Sequence, residues 1–191
     1  AIEGVNLDDF FNRTAPTGVV SLPTATTLYG YSFYNNTAIT SISAPNLTRL
    51  GQKDFMNCTN LESVYLPELQ YAGDTGTANE SIVNTTLCDT FAYCHGLGTV
   101  HLPKLKKAGQ NMFYYVNNGK STYNTITVLP KLEYVGNKMF RRTKAKAVDL
   151  GADCARINSD GFYDDTIDVL ILRSTTLVVA ATRDAVRYIN S

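Results

Sequence analysis

The sequence predicts a solenoid of short parallel strands, in which each turn of the coil buries its apolar side only against its neighbours. The first observation is a pattern that recurs about every 22 residues. It runs apolar residue, two of any kind, Ile or Val, one of any kind, Leu or Ala, Pro, and then a Leu, a Gly and a Phe. The clearest copies begin at Ile39 (ITSISAPNLTRLGQKDFMNC), Leu61 (LESVYLPELQYAG, resuming CDTFAYC) and Leu97 (LGTVHLPKLKKAGQNMF). The second observation is proline spacing. Pro23, Pro45 and Pro67 lie 22 apart, Pro103 follows after 36 and Pro130 after 27, while Gly151 and Arg173 replace Pro in two later units. The third is independent: Phe33, Phe55, Phe91, Phe113, Phe140 and Phe162 repeat the spacings 22, 36, 22, 27 and 22. Six of the eight Phe fall on this ladder, too many for chance.

Within a unit, the positions three and one before Pro alternate as a strand does: Ile42 and Ala44, Val64 and Leu66, Val100 and Leu102. Strands of successive coils are expected to pair in parallel, about 4.8 Å apart. Pro ends each strand because it has no N–H to donate to the next rung. Leu47, Leu69, Leu105 and Leu132 then turn inward. Gly51, Gly73, Gly109 and Gly136 mark a bend, where a positive φ is expected. The Phe fills the back of the coil, after a segment too short for more than a turn or two of helix. Before Pro130, Asn124 stands where the leading apolar residue is due, so a slip or bulge of one residue is expected there. The unit from Ala145 carries one extra residue, and the unit from Ile167 lacks its Phe.

The spacing errors are insertions. Fourteen extra residues fall near Gly73 to Leu87 (GDTGTANESIVNTTL), polar and rich in Thr and Asn, and read as a surface loop. Five more fall near Val116 to Tyr123, where Asn118-Gly119 is a tight-turn dipeptide.

The chain has 191 residues, 44% of them hydrophobic, enough for one continuous core, and no Pro-, Gly- or Ser-rich linker divides it. A single domain is expected over 1–191, with a cap segment at 1–18, repeats over about 19–172 and a partial terminal repeat at 173–191. No window approaches 18 uninterrupted apolar residues, so no membrane span is expected. The chain begins at Ala1 with no signal-like segment, as a mature or trimmed chain would. Six Asn-x-Ser/Thr sequences occur; Asn46 and Asn57 sit at packed repeat positions, which favours a bacterial source where the tripeptide carries no glycan. An apolar end after Leu172 would let the native protein continue or self-associate there.

Little in the sequence points to catalysis. Cys58 and Cys94 both lie three residues after a Phe, so they read as small buried ladder residues; a Cys88–Cys94 or Cys58–Cys94 disulfide stays open. No Cys-x-x-Cys pair exists for zinc. His95 falls in a turn. His101 lies in an outward strand column with Ser21, Ser43, Tyr65 and Asp149, and neither His has the partners of a nucleophilic site. No phosphate-cradling loop or calcium loop is present, and no cofactor is expected. An enzyme would need a pocket at the long insertion.

Charge is more informative than its zero net value. From His101 to Lys146 there are ten Lys or Arg and one acid; from Ala147 to Leu170 there are six Asp and one Arg. Stacking places a basic band beside an acidic one, so these charges either offset each other locally or offer a contact to an acidic partner, such as a glycan or wall polymer. Nucleic acid is not expected, because no recognition module is present. Arg141 and Arg142 form part of a cluster after Phe140. The residue four after Pro is Arg49, Tyr71, Lys107 and Tyr134 in successive coils. Its neighbours face inward, so this column should face out, with cation and aromatic close enough for cation–π contact. The column either stabilises the surface or docks a partner, and exposed Tyr34, Tyr65, Tyr114 and Tyr115 would suit a protein-binding face.

The unit LxxVxLPxLxxIGxxxFxxCxxL, seen from Ile39 to Leu61 and from Leu61 to Cys94, closely resembles the BspA-like class of bacterial leucine-rich repeats. The resemblance covers roughly Val19 to Leu172, and the tail LILRSTTLVVAATRDAV looks like a terminal unit of such proteins. It implies a leucine-rich-repeat solenoid, a right-handed coil with a curved parallel β-sheet on one face and short turns, 3-10 or helical segments on the other. It also implies a secreted or cell-surface bacterial protein that binds host proteins or other cells, with no catalytic motif to transfer. The expected function is therefore a non-enzymatic protein-binding or adhesion module, with Arg49, Tyr71, Lys107, Tyr134, Tyr65, His101, Arg141 and Arg142 as candidate binding residues. The alternative is a structural spacer in a larger surface or phage-tail-like assembly.

Overall fold

The computed structural model describes residues 16–74, 82–83 and 85–179. Most of the expected N-terminal cap, of the long insertion and of the terminal repeat's end lies outside the described residues. The side leading to each Pro carries β1 (Gly18–Ser21), β2 (Ile39–Ser43), β4 (Ser63–Tyr65), β6 (Thr99–His101), β8 (Ile126–Leu129), β10 (Lys144–Leu150) and β12 (Thr166–Leu172). They form one seven-stranded parallel sheet in that order, one strand per coil. The side after Pro carries β3 (Arg49–Gly51), β5 (Tyr71–Asp74) and β7 (Lys107–Ala108), then β9 (Tyr134–Val135), β11 (Arg156–Ile157) and β13 (Val178–Val179), as two three-stranded parallel sheets.

The predicted ladders fill the core. Ile42, Val64, Val100, Thr127 and Val148 are buried in successive coils, as are Ala44, Leu66, Leu102 and Leu129, and Leu47, Leu69, Leu105 and Leu132. Behind them the six phenylalanines stack face to face, with centroids 4.9–5.7 Å apart and planes within 12° of parallel. At the irregular unit, Thr125 takes the inward place held by Leu97 one coil earlier, and its hydroxyl donates to the Leu97 carbonyl. One residue fewer then leads to Pro130, and Thr99 pairs with Ile126 and Val100 with Thr127.

Two expectations about the back of the coil need correction. Gly73 has a positive φ of 100°, but Gly51, Gly109 and Gly136 do not. What Gly51 and Gly109 meet is crowding: a Cβ at Gly51 would lie 2.3 Å from the Gly30 nitrogen, and one at Gly109 would lie 2.1 Å from the Thr86 carbonyl oxygen. Positive φ falls instead on non-glycine residues two before and two after each Phe. Lys53 and Asn57 flank Phe55, Asp89 and Tyr93 flank Phe91, Asn111 and Tyr115 flank Phe113, and Lys138 and Arg142 flank Phe140. This alternation is why the side holds turns, with no helix among the described residues. A helix aims its N–H groups along its own axis. Here every second N–H points at the next coil: Lys53 N–H to Cys88 O at 2.7 Å, Phe55 to Thr90 at 3.0 Å and Asn57 to Ala92 at 2.8 Å. Those inter-coil bonds offset a left-handed backbone that costs about 1–2 kcal/mol per non-glycine residue.

Candidate functional site

The eight candidate residues lie on three sides of the coil. Arg49, Tyr71 and Lys107 are directly paired along β3, β5 and β7, and Tyr134 pairs with Arg156. All four of the column are partly exposed. The Lys107 ammonium lies 3.9 Å from Glu133. The Tyr134 hydroxyl donates to the Ile82 carbonyl at 3.0 Å, and burial pushes its phenol well above the ordinary value. The cation–π contacts lie in other columns: Lys53 over Tyr31, Arg141 over Tyr163, Arg142 over Tyr115 and Lys146 over Tyr123.

Three ion pairs join residues 22 apart, hence one coil apart: Lys131 with Asp153 at 3.1 Å, and Arg142 with Asp164 and Lys146 with Asp168, each at 2.8 Å. The basic band therefore meets the acidic band rung by rung. Each pair is solvent-exposed, so water and salt screen it and it adds little to stability. Arg142 is consequently engaged within the chain, while Arg141 is not paired with a carboxylate among the described residues.

Tyr65 and His101 stand on the open face of the seven-stranded sheet. The pairing continues their column through Val128, Asp149 and Ile171. The parallel column beside it runs Thr99, Ile126, Ala147 and Val169. Tyr65 is 57% exposed, Ile126 38% and Val169 50%. The first coils present Ser41, Ser43 and Ser63 on this face; the last three present Ile126, Val128, Ala147, Val169 and Ile171. Charged pairs lie within and beside that apolar area, Asp149 between Val128 and Ile171. Arg173 grips Asp149 through two hydrogen bonds of 2.9 and 2.7 Å, which hold the Asp149 carboxyl below its ordinary value. Near the start of the same strands, Lys146 and the Tyr123 hydroxyl both donate to Asp168, at 2.8 and 2.9 Å. The sequence reading missed these apolar residues. Their signal was the replacement of Ser and Thr by Ile and Val at outward strand positions.

The thiols serve packing. All four cysteines are free and buried. Cys58 Sγ donates to the Phe33 carbonyl at 3.0 Å and Cys94 Sγ to the Phe55 carbonyl at 3.1 Å. The Thr143 hydroxyl makes the same bond to Phe113. Burial pushes the Cys58 thiol to about 12 and the Cys88 thiol to about 11, far from the thiolate a nucleophile needs.

A family model for the BspA-type leucine-rich repeat region matches in six copies, over residues 8–90 and 26–168. The chain belongs to that family. No curated protein and no solved structure matches it. Leucine-rich repeats of this class are protein-binding scaffolds, typically without catalysis, and the stacked parallel coils described above are that scaffold. Among the described residues there is no helix long and apolar enough to cross a membrane.

Proposed function

We propose that this leucine-rich repeat chain is a non-enzymatic protein-binding module of a secreted or cell-surface bacterial protein, and that its partner is a host extracellular or cell-surface protein docking on the open face of the seven-stranded sheet. One observation carries the reading. Ile126, Val128, Ala147, Val169 and Ile171 make an apolar area that surrounds Asp149, which Arg173 neutralises, and that the Lys146–Asp168–Tyr123 group borders. An apolar area with a polar rim is the anatomy of a protein interface. The side chains stand on a hydrogen-bonded sheet, so docking costs little ordering entropy. Tyr65 and His101 extend the face toward the earlier coils, and the Arg49–Tyr71–Lys107–Tyr134 column supplies a second strip on the adjacent side.

The test is capture of the purified chain on immobilised host matrix and plasma proteins, beside an Ile126→Asp/Val169→Asp variant. Both positions point away from the core, so the variant is expected to melt like the wild type. Binding by the wild type and its loss in the variant supports the reading. Equal binding by both removes the sheet face. No binding by either favours a spacer whose repeats only set length.

A further inference from the structure

The turn side exposes two neighbouring columns, one and two residues after each Phe. The second reads Tyr93, Tyr115, Arg142 and Asp164 through four coils. Tyr93 stacks on Tyr115 with centroids 5.2 Å apart. The Arg142 guanidinium lies over Tyr115 at 5.3 Å and bonds its hydroxyl. Its Nε then donates to Asp164 at 2.8 Å. Aromatic, aromatic, cation and anion close the series within the chain.

The first column reads Ala92, Tyr114, Arg141 and Tyr163. The Arg141 guanidinium lies over Tyr163 at 4.8 Å, and Tyr114 packs edge-on against Tyr115 at 4.5 Å. Arg141 is partly exposed, although its Nε is buried and has no hydrogen-bond partner, so an incoming anion meets the outer end of the guanidinium; no carboxylate pairs with it among the described residues. The two columns share one chemistry, a guanidinium on a tyrosine, but only the second holds an anion. Asp164 on Arg142 is thus an internal example of the ligand that Arg141 lacks. Charge points the same way. Between Lys131 and Lys146, Asp residues of the next coils neutralise Lys131, Arg142 and Lys146, while Lys138, Arg141 and Lys144 remain without a paired acid among the described residues.

We propose that Arg141, set between Tyr114 and Tyr163, is the seat for a carboxylate from an acidic segment of a partner protein. A polypeptide fits better than an acidic sugar. A sugar stacks on a free aromatic face, but Tyr115 lies between Tyr93 and Arg142, and Tyr163 lies against Arg141. These contacts occupy ring faces on which a sugar would stack, whereas a peptide can use ring edges and hydroxyls through its side chains and amides. This ridge is separate from the open sheet face, so either reading can fail alone.

The test is fluorescence anisotropy with a labelled oligoglutamate peptide, with unlabelled oligogalacturonate as the sugar probe and a melt of each variant as the fold check. The wild type is expected to bind, more weakly as salt rises. Arg141→Met is expected to weaken binding about tenfold, the scale of one lost charge-assisted contact. Asp164→Asn, which frees Arg142 as a second seat, is expected to strengthen it about threefold, about half the free energy of one such contact. Lys53→Met removes a cation from the same side several coils away and should change nothing. The proposal is overturned by no binding to the wild type, by Arg141→Met binding like the wild type, by Lys53→Met weakening binding equally, or by oligogalacturonate binding as tightly as the peptide.

Discussion

Phe140 and Phe162 stack with centroids 4.9 Å apart and rings 3° from parallel. They close a buried column that begins at Phe33 and takes one ring from each coil. Contacts in a solenoid run only between neighbouring coils, so a gap in this column weakens two interfaces together. Phe113→Ala is expected to cost about 3–5 kcal/mol, the range for deleting a buried ring. Urea unfolding of the purified variant measures it.

Two buried carboxyls give the fold a pH dependence of unusual sign. Asp54 accepts the backbone N–H groups of Ser32 at 3.1 Å and Gly51 at 2.7 Å, yet complete burial pushes its pKa from 3.8 to about 6. Asp165 is pushed from 3.8 to about 8, first by burial. It occupies the next place in the column where Cys58, Cys94 and Thr143 donate to Phe carbonyls, a place that suits a protonated acid. Both folded values exceed the unfolded value, so the folded state binds the extra protons. The stability they contribute is full below 3.8 and is lost as pH rises through about 6 for Asp54 and about 8 for Asp165. Thermal melts are expected to fall across this window. Asp165→Asn should flatten the upper part and raise the melting temperature at pH 8, where the wild type bears nearly the whole of a pKa rise from 3.8 to about 8.

Glycine plays different parts at Gly109 and Gly119. A Cβ at Gly109 would sit 2.1 Å from the Thr86 carbonyl oxygen, so two coils would have to part. Gly119 has open space around it and a φ of 84°. Gly109→Ala is expected to cost more than about 3 kcal/mol, as overpacking against rigid backbone does. Gly119→Ala should cost only about 1 kcal/mol, the penalty of a left-handed alanine. Denaturant midpoints of the two variants decide between crowding and conformation.

The left-handed turns also leave room for improvement. Lys138 holds a φ of 55° on the outside of its coil, where a side chain adds strain. Lys138→Gly is expected to raise stability by about 0.5–1 kcal/mol, since glycine adopts this conformation freely but loses more chain entropy on folding. An unchanged or lower melting temperature would contradict it.

The coil path was legible because its period is written in large apolar residues. Pro and Phe kept one register through two insertions, and the inward positions inferred from Ile42, Ala44 and Leu47 are buried in the interior coils, while Leu22 at one end and Leu170 and Leu172 at the other stay partly exposed. The bends were assigned to glycine conformation, whereas the crowding at Gly51 involves Gly30, which lies one coil away and outside any local pattern. Cation–π pairing was expected after Pro, whereas Arg141–Tyr163 and Arg142–Tyr115 lie just after Phe and Lys53–Tyr31 just before it. Alternation of Arg or Lys with Tyr marks both columns, but Lys107 approaches Glu133, and Tyr134 bonds a carbonyl of the long insertion. Which way a long side chain leans depends on neighbours that the period does not reveal. The apolar outward residues from Ile126 to Ile171 were visible in the sequence, but the recurring Ser and Thr at those positions drew attention to polarity.

The rungs between coils differ along the stack. Early coils are joined by uncharged reaches: Asn46 to the Pro23 carbonyl, Asn57 to Asn35 and Asn60 to the Thr37 carbonyl. Later coils are joined by Lys131–Asp153, Arg142–Asp164 and Lys146–Asp168. Each of the later coils therefore carries an address. Excising the repeat from Ala145 to Thr166 would strand Lys131, Arg142 and Asp168 at once, while copying or dropping an early repeat strands no charge from these three pairs. A change in repeat number is therefore expected to disturb fewer charges in the coils before the Lys104–Glu68 pair than in those that carry the open apolar face and the arginine ridge.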